Sequence, residues 1–192
     1  MSTALNKAID GVKRHQLNVD AYRRMFETGV IAQDARVELI DGEIFDMPPI
    51  GLPHSSIVNQ LTERFVLAMA GHAIVQPQSS IVLSDLSEPE PDLCVLRTEK
   101  DYYRYTPKRT EDVLLIVEVA ESSMAYDRSI KVPMYARHNL PEVWLIDVQR
   151  RELHRFLEPC PDGYQKHDCL PTPATLTPTC LPEISIDMSG VI

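Results

Sequence analysis

PDLCV at Pro91–Val95, VLLIVEVA at Val113–Ala120 and YDRSIKVPMYARH at 126–138 decide the fold of this chain. The first two are short apolar runs with strand character, and each carries one carboxylate: Asp92 opens the first and Glu118 sits deep in the second. An ionised carboxylate within a sheet is costly unless a cation or strong donors meet it. Neighbouring strands lie about 4.8 Å apart, so two strands in suitable register bring both carboxylates to one ion. Oxygen ligands without clustered thiols or imidazoles select Mg²⁺ or Mn²⁺ over zinc. The backbone carbonyl of Val119 is the natural third ligand beside Glu118. The third segment adds Asp127, Lys131 and Tyr135, and a lysine near such an ion suits a phosphate.

Upstream of this centre, Asn18 is placed to cap a helix over VDAYRRMFETG, with Tyr22, Met25 and Phe26 on one face and Gly29 ending it. RVELIDGEIFDM (Arg36–Met47) reads as a hairpin, because Asp41-Gly42 supplies the two positive-φ positions of a type I′ turn. Val37, Leu39 and Ile44 are then packed, with Glu38 on the other face. A helix is expected from His54 or Ser55 to about Gly71, its apolar surface made by Ile57, Leu61, Phe65, Leu67 and Met69. AIVQPQSSIVLS follows as a strand or bent strand pair broken at Pro77, and Arg97–Asp112 is a polar excursion.

Downstream, Asp127 or Ser129 opens a helix to about His138, in which Pro133 is awkward because it deletes a backbone bond. EVWLIDV is a strand with Trp144 in the core, reached from Val113–Ala120 by a right-handed parallel crossover. Arg151–Leu157 pairs with it. Six prolines between Pro159 and Pro182 predict an extended segment laid over the surface. The expected fold is α/β (α+β): a mixed sheet flanked by helices, with an N-terminal helix and hairpin added. The expected layout is a peripheral segment 1–17, a domain over 18–158, and a Pro-rich extension over 159–192.

Composition narrows the function. At 44% hydrophobic and 24% charged residues the chain is ordinary for a globular protein, and no apolar run approaches a membrane span. The N-terminus MSTALNKAIDGVKRHQ lacks the apolar stretch of a signal peptide, so the expected location is cytoplasmic, with no membrane partner. None of the four cysteines forms a CxxC pair, so zinc-ribbon spacing is absent. Net charge is −9, unevenly spread: from Arg97 to Arg155 there are 11 basic and 10 acidic residues, against 8 and 18 elsewhere. An anion-binding face belongs to that central segment, and the absence of a basic stripe argues against tight nonspecific DNA binding. Walker, GxSxG, HExxH and dinucleotide glycine motifs are missing.

PD at Pro91-Asp92, ExA at Glu118–Ala120, YDRxxK with a following Tyr135, and EVWLID at Glu142–Asp147 together resemble the Uma2 family (DUF820) of the PD-(D/E)XK nuclease superfamily. The resemblance runs from about Val19 to Leu157 and includes the VELIDGEI hairpin and Pro53-His54. It implies a restriction-endonuclease-like core and a divalent-metal endonuclease acting on DNA, commonly as a homodimer. Asp92 and Glu118 match the two acidic positions. The superfamily lysine expected two residues after Glu118 is Ala120 here, and in the Uma2 pattern Lys131 takes its place. Glu38 and His54 match further family positions and are candidates, with Asp127 and Tyr135, for supporting or substrate-contacting roles.

Simpler readings stand beside these. Asp92 after Pro91 suits the mere start of a strand, and Lys131 suits a pair with Asp127 four residues earlier. Glu38 fits an exposed strand position and His54 a helix start. Tyr102, Tyr103, Arg104 and Tyr105 suit base stacking or a loop packed by its rings. The alternative function is a catalytically lapsed nuclease-fold protein acting as an interaction or nucleic-acid-binding module, favoured by Ala120 and the −9 charge.

Overall fold

In the computed structural model of this protein, residues 14–192 are described. Of the expected peripheral segment, residues 1–13 lie outside them. Contacts group the described residues into two units: those up to Met47 with Val82–Pro89, and Pro48–Ile81 with Glu90–Ile192.

In the first unit Asn18 caps α1 (Val19–Glu27), its side-chain oxygen accepting from Ala21 N–H at 2.8 Å. Tyr22 and Phe26, one turn apart, meet edge to face at 5.3 Å. β1 (Val37–Ile40) and β2 (Glu43–Asp46) form the expected hairpin. Asp41 and Gly42 turn it at φ 50° and 82°, the type I′ signature. A Cβ on Gly42 would lie 2.6 Å from that of Gln16, so glycine is required by space as well as by φ. Leu39 is fully buried against Val19 and Tyr22. Glu38 is buried, so the simpler reading of it as an exposed strand residue does not hold.

The second unit is built on α2 (Leu52–Met69) and six strands: β3 (Ile74–Pro77), β4 (Leu93–Leu96), β5 (Val113–Ala120), β6 (Glu142–Asp147), β7 (Glu152–Cys160) and β8 (Gly163–Pro171). They form one mixed sheet in the order β3-β4-β5-β6-β7-β8. Only β5 and β6 are parallel, as a strand–helix–strand crossover requires. Every residue of β5 and β6 is buried, which explains why neither run alternates in polarity.

Helix α2 starts two residues before His54, since Pro53 in the first turn costs no helical hydrogen bond. Ile57, Leu61, Phe65 and Met69, four residues apart, make one buried stripe against Leu115, Val117, Val119 and Trp144. Leu67, expected in that surface, lies off the stripe and is 73% exposed. Phe65 meets Trp144 edge to face at 5.6 Å. The Trp144 indole N–H donates to Glu142 Oε1 at 2.6 Å, and Glu142 Oε2 accepts from the N–H and hydroxyl of Thr179, both at 2.7 Å. Those donors compensate a carboxylate with no exposure.

Two segments depart from expectation. The helical run after β5 comprises α3 (Met124–Tyr126), a π turn over Asp127–Lys131 and α4 (Val132–Arg137). Val132 N–H reaches back five residues to the Asp127 carbonyl. The widened turn gives the Pro133 ring room next to the preceding carbonyls, so the proline is accommodated without ending the helix. The C-terminal prolines do not confine their segment to a surface strap. β8 is a nine-residue edge strand on β7, and β9 (Thr175–Leu176) pairs with β10 (Ile186–Asp187). Leu176, Ile184, Ile186, Met188 and Val191 join the main core. No helix among the described residues is long and apolar enough to cross a membrane.

Candidate active site

Asp92 immediately precedes β4. The antiparallel register that pairs Leu93 with Val117 sets Asp92 opposite Glu118. The two carboxylates therefore project from one face of the sheet on adjacent strands, as the sequence predicts. Asp92 Oδ2 accepts from Val119 N–H at 2.8 Å, and His54 Nε2, from the first turn of α2, lies 2.9 Å from Asp92 Oδ1. Glu118 Oε2 faces the Asp92 N–H at 3.4 Å, a long contact that leaves this oxygen weakly held.

Glu118 Oε1 is held much more tightly. Lys131 Nζ lies 2.7 Å from it, and the Tyr135 hydroxyl donates to it at 2.5 Å. The π turn supplies Lys131 and the first turn of α4 supplies Tyr135, so one helical run delivers both groups. Lys131 and Tyr135 are almost fully buried. The ammonium also approaches the Glu90 carbonyl at 3.5 Å. Asp127, at the start of the π turn, is buried and accepts from the Ser123 hydroxyl. Lys131 thus does more than the simple i,i+4 reading required: it reaches across to β5.

Burial pushes the Glu118 carboxyl up to about 8, while Lys131 pulls it down and Asp127 and Asp92 push it further up. Near neutral pH the group is balanced between keeping a proton and exchanging it for a cation. Val119 is the third predicted ligand. The Val148 N–H donates to Ala120 C=O at 3.1 Å, so Ala120 faces β6. Alternation along the strand then turns Val119 to the opposite edge, and its N–H on Asp92 agrees. Its carbonyl shares that edge. The carboxylate oxygens of Asp92 and Glu118, beside the Val119 backbone, suit a hard divalent ion.

Glu38 belongs to the first unit, where it pairs with Phe45 across the β1–β2 ladder. Tyr102 and Tyr105 are exposed in the loop before β5, whereas the Tyr103 hydroxyl donates to the Arg97 carbonyl. The sequence reading did not single out Ser123 or the Glu90 carbonyl. The latter is a backbone group that no residue type announces.

Residues 19–189 match the family model of Uma2, described as "Putative restriction endonuclease". Among solved structures, the chain is similar to "a putative nuclease belonging to DUF820" from Anabaena variabilis ATCC 29413. The TM-score is 0.67 at 13% identity, over 91% of this chain and 97% of that one. No curated protein matches.

Proposed function

Because this chain belongs to the Uma2 family, we propose that it is a divalent-metal-dependent endonuclease hydrolysing phosphodiester bonds of DNA. The observation that carries this reading is the convergence of Asp92, Glu118 and Lys131 on one face of the sheet. The structural neighbour's description as a nuclease is consistent with it.

Asp92, Glu118 and the Val119 carbonyl would hold Mg²⁺ or Mn²⁺. Such an ion, when bound, lowers the pKa of a coordinated water and neutralises charge on a phosphate. The chain's own groups prepare that site. His54 fixes one Asp92 oxygen and Val119 N–H the other, which orients the carboxylate. Tyr135 and Lys131 hold Glu118 through Oε1 and leave Oε2 turned toward Asp92. The Lys131 ammonium is the positive group available to the charge that builds on the phosphate oxygens in the transition state. It occupies the role that Ala120 cannot fill. Two copies of the centre would cut two strands, so the working form in this reading is a cytoplasmic homodimer.

Supercoiled-plasmid nicking in Mn²⁺ tests the proposal. The parent protein is expected to nick and Asp92→Asn to be inert. Lys131→Ala should retain Mn²⁺ binding and lose about two orders of magnitude in rate, the scale for one positioned electrostatic group. A parent as inert as Asp92→Asn on every nucleic acid tried would reject the enzyme in favour of the interaction module.

A further inference from the structure

The β7–β8 hairpin carries a second constellation, with different chemistry, on the same face of the sheet as Glu118. His154 and Cys169 are directly opposite one another, and Glu152 lies two residues before His154 on the same side of β7. One ligand atom from each of Glu152, His154 and Cys169 lies within 4.8 Å of the others. His154 Nε2 and Glu152 Oε2 are 3.8 Å apart. Tetrahedral zinc, with bonds of about 2.0–2.3 Å, sets its ligands roughly 3.5 Å apart. The carboxylate and imidazole are already near that spacing, and Cys169 is exposed and can close by a change of rotamer.

The imidazole is oriented as a ligand would be. His154 Nδ1 is 3.0 Å from His167 Nε2. A proton on Nδ1, donated to His167, leaves the Nε2 lone pair facing Glu152 and Cys169. Metal-bound histidines are commonly fixed this way through the other ring nitrogen. His167 is in turn stacked on Phe156 at 4.5 Å, which holds the acceptor in place.

We propose that Glu152, His154 and Cys169 form a binding site for a borderline divalent metal of the zinc type, with a water in the fourth position, clamping the edge strand β8 to β7. A thiolate and an imidazole with one carboxylate select Zn²⁺ or Co²⁺ over Mg²⁺. The site is separate from the Asp92–Glu118 pair and independent of the nuclease reading. Leu145 of β6 stands between Glu118 and His154 in the cross-strand register. Two strand spacings amount to about 10 Å. Arg128, a cation whose charge acts on His154, is exposed. Cys169 would bind as its thiolate, so metal binding releases a proton.

The test titrates the full-length reduced protein with Co²⁺ in metal-free buffer and follows thiolate-to-cobalt charge transfer in the near ultraviolet. The expected result is a band saturating at about one equivalent, bleached by Zn²⁺. Cys169→Ser should abolish the band and weaken Zn²⁺ at least about tenfold in competition with a chromophoric chelator, the scale for losing one ligand. Its metal-free melting temperature should be unchanged, since Cys169 is exposed. Asp92→Asn should keep the band, because a hard oxygen site has no thiolate to give one. No band in the parent overturns the proposal. So does a band that survives Cys169→Ser, which would assign the thiolate to Cys94, Cys160 or Cys180.

Discussion

Replacing Glu118 with glutamine should remove a pH dependence of stability that the metal-free parent carries. The carboxyl is buried beside Asp92 and Asp127, and its pKa is raised from 4.5 to about 8. Across that interval the folded state keeps the proton and the unfolded state loses it. Stability therefore falls as pH rises, by up to about 1.4 kcal/mol per pH unit. For a chain of this size that is roughly 3–6 °C in Tm per pH unit. His154 and His167 work in the opposite sense, since their lowered pKa values make stability fall as pH drops below about 6.5. Subtracting the variant's profile from the parent's cancels the histidines and isolates Glu118. The assay is thermal unfolding in chelator from pH 5 to 8.5, repeated with Mn²⁺. A cation takes the place of the proton, so the Mn²⁺ increment in Tm should grow with pH in the parent and shrink in Glu118→Gln. Parallel profiles for parent and variant, or a Mn²⁺ increment equal at pH 5.5 and 8, would refute the argument.

Asp92→Asn should abolish the Mn²⁺-dependent rise in Tm while leaving the metal-free protein as stable as the parent or more so, because one of two adjacent carboxylates is removed; calorimetry with and without Mn²⁺ checks this. Glu142→Ala should cost about 3–5 kcal/mol by urea unfolding, since it opens a cavity and leaves the Trp144 indole and both Thr179 donors without their acceptor. Asn18→Ala should cost about 1 kcal/mol, the scale of a lost helix cap, in the same assay.

Local grammar made much of this fold legible. Asp41-Gly42 announced its turn, the four-residue spacing from Ile57 to Met69 announced a helix stripe, and the apolar runs at Val113 and Glu142 announced buried strands. The pairing of Asp92 with Glu118 was legible because carboxylates are conspicuous in apolar strands. The π turn was not, because sequence periodicity assumes 3.6 residues per turn and an inserted residue shifts the phase silently. Pro133 was its one visible trace. β8 escaped for another reason. GYQKHDCLP carries little apolar character, and an edge strand held by backbone bonds to one neighbour needs little. The buried Glu142 has a readable signal in the sequence: Trp144 lies two residues on, on the same face, with an indole N–H that must be satisfied.

The two ends of the six-stranded sheet have a consequence for how the protein behaves at high concentration. β3 offers only four residues and finishes at Pro77, which has no N–H to donate. β8 is long, but Gln165, Lys166 and His167 make its middle exposed and polar. Neither margin is a flat apolar template on which a second copy could extend the sheet or from which a fibril could seed. Self-association of this chain should therefore proceed through side-chain surfaces and remain reversible on dilution, without continuing the ladder from one copy to the next.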